Sequence, residues 1–283
     1  RRFVVAGDDD QAIYRWAGAD PLHMGCLRGT RRILGQSYRV PASIQSLAGG
    51  LIRRTTGGVI KAWSPRPVAG CLDRVGKIEQ IDLTSKDILI LARNFSYLSE
   101  VQSMLRHRGV PYSYRGTPAI SWEIISVVND WEKLRKGDSL DVDRVRKILS
   151  YMGSSVDAKH RKLHLVRGEL GLGELTKIHG VRTTSIWHEA LDKLPHQEKM
   201  FMLAARRNGE SLNREPRVRL STIHGSKGGQ AEHVILLSDM APRTKREQFK
   251  HPDDETRVWY VGVTRAKERL TIVDPSSSNF FNL

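Results

Sequence analysis

The stretch "GDDDQAIYRWAGA", from Gly7 to Ala19, crowds carboxylates, an amide, two aromatic rings and an arginine into a few turns of chain. Adjacent carboxylates at Asp8, Asp9 and Asp10 can cage a hard cation, form a solvated turn, or line the mouth of a nucleotide site. The apolar run Phe3 to Ala6 in front of them reads as a strand. A strand that ends in Gly7-Asp8 delivers polar groups to the carboxyl end of a parallel sheet, where α/β proteins place ligands.

Three further blocks carry chemistry. In "SYRVPASI", Ser37 to Ile44, Tyr38 offers a ring for a base and Arg39 a guanidinium for a phosphate; the plainer alternative is a buried ring beside a surface charge. In "LSTIHGSKGGQAE", Leu220 to Glu232, a strand breaks into Gly225, Gly228 and Gly229 with His224 and Lys227 between them. Glycines let backbone N–H groups approach a phosphate, and lysine adds charge. The spacing is not that of the phosphate loop GxxxxGK[ST], which occurs nowhere in the chain. In "DETRVWYVGVTRAKERL", Asp254 to Leu270, the four-residue spacing of Arg257, Val261 and Arg265 predicts one shared helical face, with Tyr260 alongside.

These residues need a scaffold, and the apolar pattern supplies one. Continuous apolar runs at Phe3–Ala6, Ile88–Ala92, Val218–Thr222, Val234–Leu237 and Leu270–Val273 suit strands covered on both faces of a parallel sheet. Helical stripes lie between them: Ile44, Leu47, Ala48 and Leu51 after Pro41, and Leu98, Val101 and Leu105 before the stop at Gly109-Val110-Pro111. The alternation predicts an α/β fold with a doubly wound sheet. From about Trp122 to Arg207, helical segments follow one another with no convincing strand, which predicts an all-helical insertion. The closing "SSSNFFNL" reads as a frayed tail.

Composition narrows the class. In 283 residues, 46 Lys and Arg oppose 31 Asp and Glu, a net charge of +15 that suggests a polyanionic partner. Cys26 and Cys71 lack metal or pairing spacing, so neither a disulfide framework nor an oxidising compartment is expected. No apolar run approaches the roughly 18 residues of a membrane span, and a cytoplasmic location is expected. Asn94-Phe95-Ser96 is then a chance match to a glycosylation sequon. The chain opens on Arg1 directly into a strand-like run, as a piece of a longer protein would.

Taken together and in this order, "GDDDQAIYRWAGA", "SYRVPASI", "STIHGSKGGQAE" and "RVWYVGVTRAKERL" resemble the later motifs of the UvrD/Rep-type superfamily 1 DNA helicases. "DILILARNFSYLSEVQSMLRHRGVPYSYRG" also resembles a segment of these proteins. The resemblance implies a RecA-like parallel sheet with helices on both faces. Residues 1–20 would end a first RecA-like domain, 21–121 and 208–283 would form a second, and 122–207 a helical accessory insertion. It implies catalytic roles for Gln11, sensing the γ-phosphate and water, and for Arg39 and Arg265, two arginines on the γ-phosphate. Tyr38 would stack on adenine, with Asp8, Gly228 and Gln230 around the nucleotide. Tyr14, Trp16, His224 and Lys227 would touch DNA, Trp16 by stacking on a base of the single strand. Asp9 and Asp10 would be solvated or DNA-adjacent.

The implied cofactors are ATP and Mg²⁺, with no metal ligand in this chain. The implied partners are single-stranded DNA and single-strand/duplex junctions, and the implied activity is 3′→5′ translocation coupled to hydrolysis. The phosphate-loop lysine and the Mg²⁺-binding pair would precede Arg1, leaving this chain inactive by itself. Alternatives are the helicase half of a helicase-nuclease and a non-enzymatic DNA-binding remnant. Some residues depart from the family: Ala17 stands where arginine is frequent, Gly229-Gln230 replaces Leu-Glu, and Ala231 replaces an aromatic.

Overall fold

A computed structural model describes residues 3–56, 58–59, 61–157 and 168–283; the side chain of Trp16 lies outside the described residues. The chain divides into two compact units, one of Arg1–Met104, Tyr112–Gly116 and Arg217–Leu283, the other of Leu105–Pro111 and Thr117–Pro216.

The first unit is a mixed α/β structure. Its strands in chain order are β1 (Gln36–Pro41), β2 (Ser64–Arg66), β3 (Cys71–Val75), β4 (Ile88–Ala92), β5 (Tyr112–Tyr114), β6 (Val218–Thr222), β7 (Ala231–Leu237) and β8 (Ala266–Val273). Its principal helices are α1 (Ala42–Ile52), α2 (Pro242–Lys250) and α3 (Pro252–Val263). The central sheet runs β3-β8-β7-β4-β6-β5, with every one of these neighbours parallel. β1 and β2 form a separate parallel pair.

The apolar runs explain this order. Leu89, Leu91, Val234, Leu236, Leu270 and Ile272 join one core with Ile44, Ala48 and Leu51 of α1 and Val258, Trp259 and Val261 of α3. By the two-residue period of a strand, Ile88, Ile90 and Ile235 fall on the other face, and they too are fully buried. A strand buried on both faces has no polar positions to spare, which is why the sequence shows runs and not alternation. The stripe after Pro41 is α1 as expected, and Leu98, Val101 and Leu105 are buried along the helix Leu98–His107. That helix stops where Gly109 takes φ 61°, a conformation in which a Cβ would lie 2.5 Å from the backbone of Ala204.

Two expectations fail in this unit. Phe3–Ala6 forms no strand, and Phe3 and Val4 are 86% and 95% exposed. Apolar, β-branched sequence alone does not make a strand; its backbone groups need a neighbour, and among the described residues none pairs with this run. The tail is not frayed. Phe281 stacks on Trp259 at 5.1 Å, Asp239 accepts the backbone N–H groups of Ser276 and Ser277 at 3.0 Å each, and Arg74 Nη2 donates to the Leu283 carbonyl at 2.7 Å. Two apolar side chains in the tail, Phe281 and Leu283, outweigh its serines.

The second unit is mainly helical. Ser121 caps Trp122–Arg135 by accepting the Ile124 N–H, and Asp141 caps Val142–Ser150 by accepting those of Asp143 and Arg144. Trp131 is fully buried and its indole donates to the Ser185 carbonyl at 3.0 Å. The insertion is not all helix, however: Ser139–Asp141 and Glu169–Gly171 pair antiparallel, and Val156 bridges Val181. Three-residue strands are too short to show a two-residue period.

Candidate functional site

The acidic turn is a single 3-10 turn, Asp9–Gln11, capped by Asp8, whose Oδ1 accepts the Asp10 N–H at 3.2 Å. Asp9 and Asp10 are 5% and 6% exposed. Of the two expectations for them, solvated or DNA-adjacent, the first is therefore corrected, and the reason is Lys61. Its ammonium lies 2.6 Å from Asp8 Oδ1 and 2.8 Å from Asp10 Oδ2, and pairs with Asp9 as well. Asp9 also accepts the Val59 N–H at 2.7 Å. One oxygen from each carboxylate lies within 4.8 Å of the others, and the cation among them is an amine.

Burial works against the charge on Lys61, but hydrogen bonds to Asp10, Asp8 and Asp9 outweigh it and raise its pKa. Burial likewise opposes the charge on Asp9, yet Lys61 and the Val59 N–H hold its pKa below the usual value. Asp10 goes the other way: burial, with the charges of Asp8 and Asp9, lifts it despite Lys61.

Asp8 connects this turn to the arginine motif. Its Oδ2 accepts Gln11 Nε2 at 2.6 Å, and Gln11 Oε1 accepts Arg265 Nη2 at 3.1 Å. Sheet register fixes the far end of this chain of contacts. β7 and β8 begin side by side at Ala231 and Ala266, where the Ala231 N–H donates to the Arg265 carbonyl at 3.1 Å. Arg265 is thereby set beside the glycine loop, and its Nη1 donates to the Gly229 carbonyl at 3.2 Å.

The single helical face predicted for Arg257, Val261 and Arg265 is corrected: α3 ends at Val263, Thr264 is its cap, and Arg265 lies beyond the helix. Extended pairing from Ala266 onward leaves no room for another helical turn. Arg265 still reaches back, its Nε donating to the Val261 carbonyl at 2.9 Å. It is 1% exposed, and burial, reinforced by the positive charge of Arg39, pushes its pKa down to about 10.

At the tyrosine-arginine motif the plainer alternative is reversed, for the ring is out and the charge is in. Tyr38 on β1 is 87% exposed, whereas Arg39 is half-buried with an Nε that meets no acceptor among the described residues. Burial lowers the Arg39 pKa, against the pull of Tyr260 and Asp8. In the glycine loop, Gly228 takes φ 87°, a left-handed conformation suited to glycine, and Gln230 is exposed with its carbonyl held by Arg219 Nη2 at 3.0 Å.

Tyr14, His224 and Lys227 meet. The Tyr14 hydroxyl donates to the His224 carbonyl at 2.8 Å and the two rings lie 5.9 Å apart. Lys227 places its ammonium 5.0 Å from the Tyr14 ring centroid and donates to the Gln11 carbonyl at 2.8 Å. Burial, helped by Arg93, pushes the His224 pKa down to about 4, so the imidazole is neutral at neutral pH.

Within this frame, residues 177–277 match the UvrD-like helicase C-terminal domain family. This part of the chain is a UvrD/Rep-type carboxy-terminal region. No curated protein matches the chain. The UvrD-like span contains His224, Lys227, Gly228, Gln230 and Arg265, while Asp8, Gln11, Tyr14, Tyr38 and Arg39 precede it. No helix among the described residues is long and apolar enough to cross a membrane.

The UvrD-like region also holds polar residues that the motifs do not single out. Glu255, 5% exposed on α3, accepts Arg93 Nε and Nη2 at 2.7 and 2.9 Å and the Trp259 indole at 2.9 Å. This fork-to-fork pair ties the turn after β4 to α3. Arg93 directly follows the apolar run "ILILA" and Glu255 lies in the block that begins at Asp254, but nothing in the sequence pairs the two, and nothing marks Lys61.

Proposed function

We propose that this chain is the carboxy-terminal part of an ATP-dependent DNA helicase that translocates 3′→5′ along single-stranded DNA. In this reading the first unit is a RecA-like domain and the second an accessory domain near single-strand/duplex junctions. One observation carries the nucleotide half of the reading. Two arginines share a neighbourhood with Gln11 and Asp8, and the buried Nε of Arg39 meets no acceptor among the described residues. A phosphate supplies that acceptor and relieves the mutual repulsion of Arg39 and Arg265.

The residues fit ATP. Tyr38 presents an open ring for the adenine, Arg39 keeps a buried Nε open to a phosphate oxygen, and Arg265 and Gln11, bonded to each other, would serve the phosphates with Asp8, Gly228 and Gln230 at the margin. When bound, ATP supplies the phosphoryl group whose transfer to water drives the motor. The acidic turn does not fit Mg²⁺, because the Lys61 ammonium already occupies the focus of its three carboxylates. With no GxxxxGK[ST] in the 283 residues, the phosphate loop and metal ligands are assigned to a first RecA-like domain supplied from outside this chain. Tyr14, Trp16, His224 and Lys227 are assigned to the strand.

The test uses the chain itself. Labelled single-stranded DNA is titrated at rising salt, and ATP hydrolysis is followed with and without DNA. Binding that weakens with salt, and hydrolysis at background, are expected. Absence of binding at low salt rejects the DNA assignment, and clear turnover rejects the half-site assignment.

A further inference from the structure

Lys61 stands outside every motif the sequence displays, yet its ammonium is shared by three carboxylates that are consecutive in the chain. Consecutive carboxylates repel, and a turn that directs all three inward is unfavourable without a cation at the focus. The network has a direction. Lys61 Nζ holds Asp8 through Oδ1 at 2.6 Å, which leaves Oδ2 to accept Gln11 Nε2 at 2.6 Å. An amide whose NH₂ is fixed must present its oxygen on the other side, and there Gln11 Oε1 receives Arg265 Nη2 at 3.1 Å. Asp9 and Asp10 hold the ammonium from its other sides, and Val59, two residues before Lys61, ties its own N–H to Asp9.

We propose that Lys61 is a positioning residue: shared among Asp8, Asp9 and Asp10, it sets the Asp8 carboxylate and so orients the Gln11 amide toward Arg265. Lys61 acts through Asp8 and touches neither Gln11 nor Arg265. The functional consequence rests on the reading of Gln11 and Arg265 as phosphate-facing groups, but the positioning itself is a matter of geometry and is read without ATP or DNA.

The experiment is side-chain nuclear magnetic resonance on the full chain, observing the Lys61 ammonium, the Gln11 Nε2 amide and the Arg265 Nε–H. In the unmodified chain the Lys61 ammonium should give a protected signal with couplings to the Asp8 and Asp10 carboxylates. A Lys61 that exchanges like a solvated lysine overturns the proposal whatever any variant does. In Lys61→Met the Gln11 amide resonances should shift and its protons exchange with water roughly tenfold faster or more, the worth of one charge-assisted hydrogen bond. Lys61→Arg should restore most of both. If Lys61→Met does not fold, the same signals are read in Lys61→Met combined with Asp9→Asn, which removes one uncompensated charge and leaves Asp8 in place. Gln11 and Arg265 signals unchanged in a folded Lys61 variant refute the positioning role. Background hydrolysis leaves these readouts untouched, so failure of the helicase reading and failure of this one are separate results.

Discussion

Arg265 and Gln11 meet side chain to side chain at 3.1 Å, Nη2 to Oε1, although 254 positions separate them in the chain. With the Gln11 NH₂ given to Asp8, both ends of that amide are committed, and so are all three nitrogens of Arg265. Arg39 differs, with a buried Nε that meets no acceptor among the described residues. Two arginines with one assigned role thus have different structural duties.

That difference gives the first prediction. Arg265→Met takes their donor from the Gly229 carbonyl and the Gln11 oxygen and leaves the Val261 carbonyl with the Thr264 hydroxyl at 3.2 Å. At roughly 1–3 kcal/mol for a buried group left unsatisfied, the loss should be about 3 kcal/mol or more. Arg39→Met removes a poorly satisfied guanidinium and should change stability by less than about 1 kcal/mol. Urea midpoints of the two variants measure this; equal destabilisation would mean that Arg39 has partners equivalent to those of Arg265.

The tail gives a second. Phe281 is 4% exposed against Trp259, so Phe281→Ala should cost about 3–5 kcal/mol, as loss of a core aromatic does. Thermal unfolding measures it. A melting temperature unchanged from the parent would return the tail to the frayed state that its serines suggest.

Those two sites also show what the sequence made legible. Ile88–Ala92 is read correctly because a strand buried on both faces leaves a continuous apolar run, whereas Val218–Thr222 buries only Val218 and Leu220 and shows the two-residue period instead. α1 is read from its stripe. Long-range electrostatics leaves no such trace: Lys61 lies about fifty residues beyond the carboxylates it joins, and no local pattern forecasts an ion pair at that range. The end of α3 is missed for a related reason. Helical spacing continues through Arg265, but pairing of β8 with β7 from Ala266 decides where the helix must stop. Phe3–Ala6 errs in the opposite sense, since its composition suits a strand but it finds no pairing neighbour among the described residues.

A buried histidine away from the motifs gives a pH prediction. His233, 1% exposed and bonded to Thr271 Oγ1 at 2.9 Å, has a pKa pushed down from 6.5 to about 4, by burial first and by Arg269 second. Asp82 and Asp73 pull the other way without prevailing. The unfolded chain therefore binds more protons between those values, so stability is fully present above about pH 6.5 and is lost as pH falls toward 4. His224, also lowered to about 4, acts in the same direction. At 1.36 kcal/mol per unit, His233 alone contributes on the order of 3 kcal/mol. Denaturation of the parent should show this loss between pH 7 and pH 4.5, and His233→Gln should show a visibly smaller one. Parallel pH profiles for the two proteins would rule out His233 as the source.

Lys227 separates a structural duty from a functional one. It is exposed, lies over the Tyr14 ring at 5.0 Å, and makes a hydrogen bond to the Gln11 carbonyl at 2.8 Å. An exposed lysine bonded to one carbonyl contributes little to stability, so Lys227→Ala should shift the unfolding midpoint by no more than about 1 kcal/mol. If the Lys227 ammonium also neutralises a phosphate of the single strand, the variant releases about one fewer counterion on binding. The slope of log affinity against log salt should then fall by roughly one, with a uniform loss across oligonucleotide sequences. The slope carries the diagnosis, because a variant that merely loosens Tyr14 changes affinity at every salt concentration by the same factor. An unchanged slope with unchanged affinity would leave Lys227 as a strut between Gln11 and Tyr14, and the strand contact would have to come from other cations of the chain.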